Sequence, residues 1–247
     1  MLHKIAIYVT NDRPGLRPRS QRDKTMIWQA RFAGWWLILT ALAVVSVSTS
    51  AEDLTYTWNF DADLPGTLPK NFVVGTLVDG RPAGEWRVLQ TDRAKSPPQV
   101  LGQLMGKGSE HAYKVVLIDG TISSDLDLQV SFLPIEGKAD MGGGLIWRAA
   151  DDRNYYLTRA NPLEQNIRIY RIVKGIRHLL QNFDQTIHLN QWHTLHVVNR
   201  GCQIQVLYDE KPVFDLCDQT FTTGRIGLWT KSDAVTYFDD LRLQILK

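Results

Sequence analysis

Short apolar runs that alternate with polar residues recur along the chain from residue 56 onward. Residues 125–132 alternate strictly, which is the period of a half-buried strand. No stretch of ten or more residues has the apolar spacing and caps of an amphipathic helix. Many strands without intervening helices predict an all-β fold, an antiparallel two-sheet sandwich. The candidate strands are residues 56–60, 86–90, 100–104, 113–118, 126–133, 144–148, 155–159, 167–172, 192–198, 204–208, 213–216, 226–230 and 236–245.

The first 51 residues differ in composition from the rest, with seven basic groups against two acidic ones. Residues 1–25 are polar and aperiodic, which predicts a disordered basic leader or a mis-assigned start, since Met26 would begin a signal peptide of ordinary length. Residues 26–51 combine a basic flank, an apolar run and small residues Thr49 and Ala51 at the exit. This pattern predicts a signal-peptide helix and a secreted, periplasmic or cell-envelope protein. An uncleaved membrane anchor is the alternative, although the apolar run is shorter than the roughly 20 residues that cross a bilayer.

Residues 52–247 are long enough to bury one core and are predicted to form one domain. They carry 21 basic and 24 acidic groups and show no basic stripe. A nucleic-acid partner is therefore not expected, because such partners need a positive surface. Contact with a membrane is expected only through the N-terminal segment.

The two cysteines flank a predicted hairpin that turns near Asp209 and Glu210. With a two-residue loop, Cys202 would face Cys217 directly, and opposed Cα atoms about 4.5–5.5 Å apart lie within disulfide range. A four-residue loop would offset the two cysteines diagonally and make the bond harder. Export favours oxidation, so we predict the disulfide, with two free thiols as the alternative.

A series of motifs links the strands. It includes Gly-Gly-Gly-Leu-Ile-Trp-Arg-Ala at 142–149 and Gly-Arg-Ile-Gly-Leu-Trp-Thr-Lys-Ser-Asp at 224–233. The other members are residues 58–61, 64–69, 86–88, 97–101, 151–159, 192–195, 208–214 and 237–241. Over residues 55–245 the chain resembles the concanavalin A-like lectin/glucanase superfamily, and is most similar to laminin-G-like domains and bacterial 3-keto-disaccharide hydrolase domains. The resemblance implies a jelly-roll sandwich whose last strand lies beside its first. In such a sandwich, large mid-strand rings such as Trp147 and Trp229 would fill the space between the sheets.

No catalytic residue is predicted. A family 16 glycoside hydrolase of this superfamily would carry Glu-x-Asp-x-Glu on one strand, where alternation places the carboxylates on one face. Glutamates occur only at 52, 85, 110, 136, 164 and 210, and no two of them lie within four residues of each other. Ordinary retaining glycosidase activity is therefore not expected.

Metal sites were sought among histidines and aspartates. His193 and His196 lie near His188, but residues three apart on a strand point to opposite faces, so no histidine metal site is predicted. Three aspartate pairs have the hard oxygen ligands that Ca²⁺ takes, although solvated turns explain them equally well. They are Asp61 with Asp63, Asp151 with Asp152, and Asp239 with Asp240. No other cofactor is expected.

The favoured function is recognition of a carbohydrate or cell-envelope glycan on a curved sheet face. Sugars need an aromatic platform beside guanidinium and carboxylate hydrogen-bonding groups. The candidate ligand-binding residues are Arg148, Tyr156, Arg159, Trp229, Lys231 and Asp233. Replacing Arg148 with Ala is expected to leave folding intact and to weaken glycan binding.

Two alternatives stay open. One is a glycoside-processing enzyme similar to the 3-keto-disaccharide hydrolases, in which loss of a proton beside a ketone drives C–O cleavage. A lone base with a metal or an arginine would then suffice. The other is a structural or protein-interaction domain of the cell envelope, as laminin-G-like domains often are.

Overall fold

The computed structural model describes residues 54–77, 79–109 and 112–247 of the 247-residue chain. The predicted leader (1–25) and the signal peptide or anchor (26–51) lie outside these residues. The described residues form strands and no helix, so they contain no helix that could cross a membrane. The strands are β1 (Leu54–Trp58), β2 (Phe72–Val74), β3 (Trp86–Gln90), β4 (Gln99–Gln103), β5 (Tyr113–Ser123), β6 (Leu126–Glu136), β7 (Gly143–Asp151), β8 (Asn154–Asn161), β9 (Asn166–Val173), β10 (Ile176–Asp184), β11 (His193–Arg200), β12 (Gln203–Tyr208), β13 (Lys211–Cys217), β14 (Gly224–Lys231) and β15 (Val235–Ile245).

The strands form two antiparallel sheets. The eight-stranded sheet has the order β13-β12-β11-β6-β15-β4-β3, with β1 paired to β15. The seven-stranded sheet has the order β10-β9-β8-β7-β14-β5-β2. The predicted all-β jelly-roll sandwich is thus confirmed for the described residues.

Alternation along the strands builds the core between the sheets. In β6, Leu126, Leu128 and Val130 are fully buried, while Asp127 and Gln129 between them are half-buried on the other face. Trp147 enters the core as expected, and its Nε1 donates to Oδ1 of Asn199 on the facing sheet at 3.0 Å. The period of two that the sequence displays is therefore the period at which side chains enter the core.

Strand β15 lies inside its sheet. It pairs with β6 on one side, and on the other side with β4 near its start and with β1 from Leu241 to Ile245. The last strand therefore lies beside the first, as the resemblance implies. Where β4 gives way to β1, the buried Asp239 accepts hydrogen bonds from the backbone NH groups of Lys95 and Ser96, each at 2.9 Å.

The Cys202–Cys217 disulfide is present, with a Cα–Cα distance of 4.8 Å. The hairpin turns at Asp209 and Glu210, but the register differs by one residue from a simple two-residue hairpin, because Gln203 rather than Cys202 pairs with Cys217. A bulge at Val213 causes the shift. It follows Pro212, which has no NH to donate to the ladder and is therefore typical of edge strands and bulges.

Candidate functional site

The seven-stranded sheet is strongly curved, and its outer face is concave. Arg177 on β10 places its Cζ 5.5 Å from the ring centroid of Tyr113 on β5 and 5.3 Å from that of Tyr170. Strands β10 and β5 are five positions apart in the sheet order, which in a flat sheet is about 24 Å. The two side chains together cannot span that distance, so their contact requires the outer face to curl inward.

The concave face carries a second apolar cluster, separate from the core. Its buried members are Val115, Leu117, Ile146, Ala149, Tyr155, Leu157, Tyr170, Ile172 and Trp229. The expectation that Trp229 fills the space between the sheets is therefore wrong. Its neighbour Leu228 does so, and alternation sends Trp229 to the opposite face, 5.7 Å from the ring of Tyr113.

Two polar atoms on this face are fully buried, the Tyr155 hydroxyl and Nε1 of Trp229. Burial raises the pKa of Tyr155, and a hydrogen bond with the Trp229 side chain opposes that shift. Both side chains are therefore part of the packed interior of the concave face.

A cleft of about 500 Å³, here called the Tyr113 cleft, opens beside this cluster. It is built by the segment after β2, the β7–β8 turn and the β9–β10 turn. Its lining residues are Thr76, Leu77, Tyr113, Asp152, Arg153, Lys174, Gly175, Ile176 and Arg177. Tyr113 and Arg177 are half-buried, so each presents part of its side chain to the cleft.

Short contacts join the three segments. The Thr76 NH donates to Oδ2 of Asp152 at 2.6 Å, and the Gly175 NH donates to the Arg153 carbonyl at 2.9 Å. A Cβ on Gly75 would come within 2.9 Å of the Asp152 Cβ, so only glycine allows this approach. Lys174 and Gly175 both have positive φ, which suits the tight β9–β10 turn. The position of the cleft wall is therefore set by contacts of the Asp152 side chain with the backbone at Gly75 and Thr76 and by the bond between the two turns.

A second cleft of about 410 Å³, here called the Lys114 cleft, shares Leu77 with the first. Its described lining residues are Leu77, Asp79, Arg81, Met105, Lys107, Gly108, Ser109, Ala112 and Lys114. Lys114 is buried, and its Nζ donates to the Met105 carbonyl. Burial lowers the pKa of Lys114 to about 8, and the charge of Asp233 opposes that shift. A lowered pKa raises the fraction of neutral amine at a given pH, and the neutral amine is the form that can accept a proton.

Among the six predicted ligand-binding residues, Arg159, Trp229 and Lys231 lie on the concave face. Arg159 is buried and already paired, with Nη1 donating to Oδ1 of Asn166 at 2.5 Å and Nη2 contacting Oε2 of Glu164 at 2.8 Å. Lys231 pairs with Asp140 at 2.7 Å. Arg159 and Lys231 therefore hold neighbouring strands and loops together.

The structure does not place Arg148 or Tyr156 on this face. Arg148 is buried, and its guanidinium donates to the Ser124 carbonyl at 2.7 Å and the Phe221 carbonyl at 3.0 Å. Its φ of 48° interrupts the alternation that placed it beside Ile146 on the outer face. Tyr156 stacks on Trp147 inside the core. We therefore expect Arg148→Ala to destabilise the fold, in place of the sequence-based expectation that folding stays intact.

Asp233, the sixth predicted residue, anchors a loop. Its carboxylate accepts the backbone NH groups of Lys138 at 2.7 Å, Ala139 at 3.0 Å and Asp140 at 3.0 Å. Burial alone would raise the pKa of Asp233, but these hydrogen bonds together lower it. The carboxylate is thus occupied by its own protein.

The candidate metal ligands are likewise engaged in protein contacts. His193 is buried between Asp209 and the His188 carbonyl, while His196 contacts Asp127, so the two rings are on opposite faces. The three aspartate pairs accept local hydrogen bonds from Asn59 and Gln99, from Arg153 and Asn154, and from Lys95 and Ser96. Across residues 54–77, 79–109 and 112–247, no group of three or more His, Cys, Asp and Glu side chains could hold a metal ion.

The sequence-based reasoning missed Tyr113, Lys174, Arg177 and Lys114. In the sequence, Tyr113 is only the first residue of a candidate strand. The signal in the sequence was an aromatic residue at the end of one strand together with basic residues in the turn beside a different strand. It becomes informative only once the curvature of the sheet is known.

Comparisons with known proteins support the same architecture. No family model matches the chain, and no curated protein matches it. Among solved structures, the carbohydrate-binding module CBM66 from Bacillus subtilis has a TM-score of 0.56 at 17% identity, covering 70% of this chain and 94% of the module. The GH43 protein BlXynB from Bacillus licheniformis has a TM-score of 0.55 at 15% identity, covering 77% of this chain but only 39% of that protein. The Crh5 transglycosylase, solved with NAG, has a TM-score of 0.53 at 11% identity, covering 78% and 84%. The chain therefore has the concanavalin A-like jelly-roll sandwich fold.

Proposed function

We propose that this domain binds a carbohydrate in the Tyr113 cleft on the concave face of the seven-stranded sheet. The observation that carries the proposal is the half-buried Tyr113 ring, which Arg177 contacts across the curved sheet. The part of the ring that Arg177 does not cover offers an apolar platform for a sugar, and the guanidinium over the ring supplies directional donors. Clefts that combine such a platform with a few polar groups are typical ligand sites.

The surroundings of Tyr113 strengthen this assignment. Its ring packs against the apolar cluster of the concave face, with the Trp229 ring 5.7 Å away. The module, glycosidase and transglycosylase that share the fold are named for carbohydrate binding or processing, which supports a ligand of this class.

Binding is favoured over glycoside hydrolysis by the carboxylates available. Glycosidases need two carboxyl groups about 5–5.5 Å or 6.5–9.5 Å apart. Among described lining residues, the Tyr113 cleft has only Asp152 and the Lys114 cleft only Asp79. Asp152 accepts the Thr76 NH, and Asp79 pairs with Arg81 at 2.6 Å.

The experiment is a glycan array probed with the full chain and three variants. Tyr113→Ala should weaken retention at least tenfold, while Tyr113→Phe should retain most of it, because the ring is the platform. Tyr237→Ala is the matched control, since Tyr237 is a half-buried tyrosine of the eight-stranded sheet. Equal retention by Tyr113→Ala and wild type on every glycan, or no retained glycan at all, would refute the proposal.

A second function is favoured by Lys114. Its pKa of about 8 suits a general base, which an enzyme similar to the 3-keto-disaccharide hydrolases would need to remove the proton beside a ketone. Turnover of 3-keto-glucosides by wild type and by Lys114→Met tests this function. Turnover that the substitution abolishes, with Tm preserved, would establish the enzyme. Absence of turnover by wild type would exclude this second function.

The leader composition supports a location outside the cytoplasm, in the secreted, periplasmic or cell-envelope fraction. Fractionation of cells that express the chain with a C-terminal tag tests this part. Mass measurement of the recovered protein distinguishes cleavage after Ala51 from a retained anchor.

A further inference from the structure

We infer that the preferred ligand is an acidic glycan whose sugar carboxylates meet cations of the Tyr113 and Lys114 clefts. This inference rests on the proposed function and specifies its substrate class. The preference depends on the charges that line the two clefts and on how many of those charges the protein has already neutralised.

Among the lining residues that the structure describes, cations outnumber carboxylates in both clefts. Among described lining residues the Tyr113 cleft has Arg153, Lys174 and Arg177 against Asp152. The Lys114 cleft has Arg81, Lys107 and Lys114 against Asp79. Residues 52–247 as a whole carry 21 basic and 24 acidic groups, so the basic lining is a local property. Clefts lined by one sign of charge concentrate ligands of the opposite sign.

The carboxylates in the clefts leave several of these cations unneutralised. Asp79 is held by its neighbour Arg81 through Nε at 2.9 Å and Nη2 at 2.6 Å. Asp152 accepts the Thr76 NH and lies 4.0 Å from Arg153. In the described part of the chain, no carboxylate forms an ion pair with Lys174 or Arg177. A bound anion would therefore meet charges that are not already paired.

Arg177 is arranged for carboxylate recognition. Its guanidinium lies over two tyrosine rings, Tyr113 and Tyr170, which restrict its orientation. A planar guanidinium held in this way can present a two-pronged donor edge to a carboxylate. The sugar ring that carries the carboxylate would then lie beside Tyr113. One subsite would thus bind both the carboxylate and the apolar face of the same sugar.

The two clefts favour a chain of sugars over a single one. Leu77 lines both, so the two clefts adjoin. A uronate oligomer repeats its carboxylate along its length. Consecutive residues of such an oligomer can meet Arg177 and Lys174 in one cleft and Lys107 in the other.

The test compares two forms of one oligomer by titration calorimetry with the full chain, namely a galacturonate hexamer and the same hexamer fully methyl-esterified. We expect wild type to bind the acidic form at least tenfold more tightly, with the preference weakening as salt is raised. Arg177→Gln should reduce the preference to less than threefold, and Lys174→Gln should reduce it partially. Lys211→Gln, on the exposed β12–β13 hairpin, is the control and should leave it unchanged.

Equal affinity for the two hexamers, or binding of neither, overturns the inference. The proposed function survives either result if the array yields a neutral glycan whose retention depends on Tyr113. Because Arg177 is only half-buried, its variant should fold, and a Tm within a few degrees of wild type verifies this. Arg177→Lys distinguishes the effect of the positive charge from that of the planar guanidinium, since lysine keeps the charge but lacks the two parallel N–H donors.

Discussion

The backbone NH of Thr76 donates a 2.6 Å hydrogen bond to the carboxylate of Asp152, which lies 76 residues further along the chain. This bond joins the segment after β2 to the β7–β8 turn and thereby holds one wall of the Tyr113 cleft. The Asp152 carboxylate therefore has a structural role in this wall.

Removing that bond should loosen the site more than the fold. We expect Asp152→Ala to weaken glycan binding about tenfold, in line with about 1.5–3 kcal/mol for a hydrogen bond to a charged group. Calorimetric titration and thermal melting measure the two effects separately. Asp215→Ala, an exposed carboxylate of the other sheet, serves as the control. Unchanged affinity in Asp152→Ala would show that the wall does not depend on this contact.

Arg148→Ala should destabilise the domain by about 2–4 kcal/mol, because it removes a buried side chain that donates to the carbonyls of Ser124 and Phe221. Urea unfolding followed by tryptophan fluorescence provides the measurement. Arg87→Ala, which removes an exposed arginine, should change stability little. A midpoint equal to wild type in Arg148→Ala would restore the surface role that the sequence suggested for this residue.

Asp239 should make stability depend on mild acidity. Burial raises the pKa of Asp239 to about 6 in the folded state, although the Ser96 and Asp240 backbone NH groups oppose that shift. The unfolded chain therefore loses this proton first, near its ordinary pKa of 3.8. Between about pH 4 and pH 6 the unfolded state binds fewer protons, so the free energy of unfolding should fall as pH rises, by at most about 3 kcal/mol.

Denaturant titrations at pH 4, 5, 6 and 7 test this dependence. Asp239→Asn removes the titrating group, so the difference between wild type and variant isolates its contribution from that of the other carboxylates. The difference should vary with pH between 4 and 6 and become constant above about pH 7. A difference that is constant over the whole range would contradict the assignment.

The Cys202–Cys217 bond should stabilise the β12–β13 hairpin, which lies at the edge of its sheet. The cysteines are 15 residues apart, a loop for which cross-linking contributes about 3 kcal/mol. The double variant Cys202→Ala, Cys217→Ala should lose about that amount. Reduction of wild type by dithiothreitol should reproduce the loss, and reduction of the double variant should have no effect. A reductant-insensitive wild type would contradict this prediction.

The fold was largely predictable because strand alternation is a local property. The pattern Leu126, Leu128, Val130 needs only neighbouring residues to be read, and the structure confirms it. Trp147 and Trp229 look alike in sequence, each in the middle of a glycine-led strand, yet they lie on opposite faces of one sheet. Alternation shows only that successive side chains lie on opposite faces of the strand. Which of the two faces lies toward the core depends on pairing with the other strands.

The candidate site was much less predictable. The Arg148 side chain does not lie on the outer face of the sheet, because a positive φ at this residue interrupts the strand. No residue type in the segment predicts this deviation. Tyr113 and Arg177 are 64 positions apart and meet only because the sheet curls. Curvature accumulates from the twist of many strands, so it cannot be read from any single segment.

The central position of β15 has a consequence for the order of events in the cell. Residues 235–245 are flanked by β6 on one side and by β4 and β1 on the other, so the eight-stranded sheet stays open until they arrive. Non-local strand pairing is slow, so completion of this sheet should be a late step of folding, after the hairpins between neighbouring strands of the seven-stranded sheet have formed.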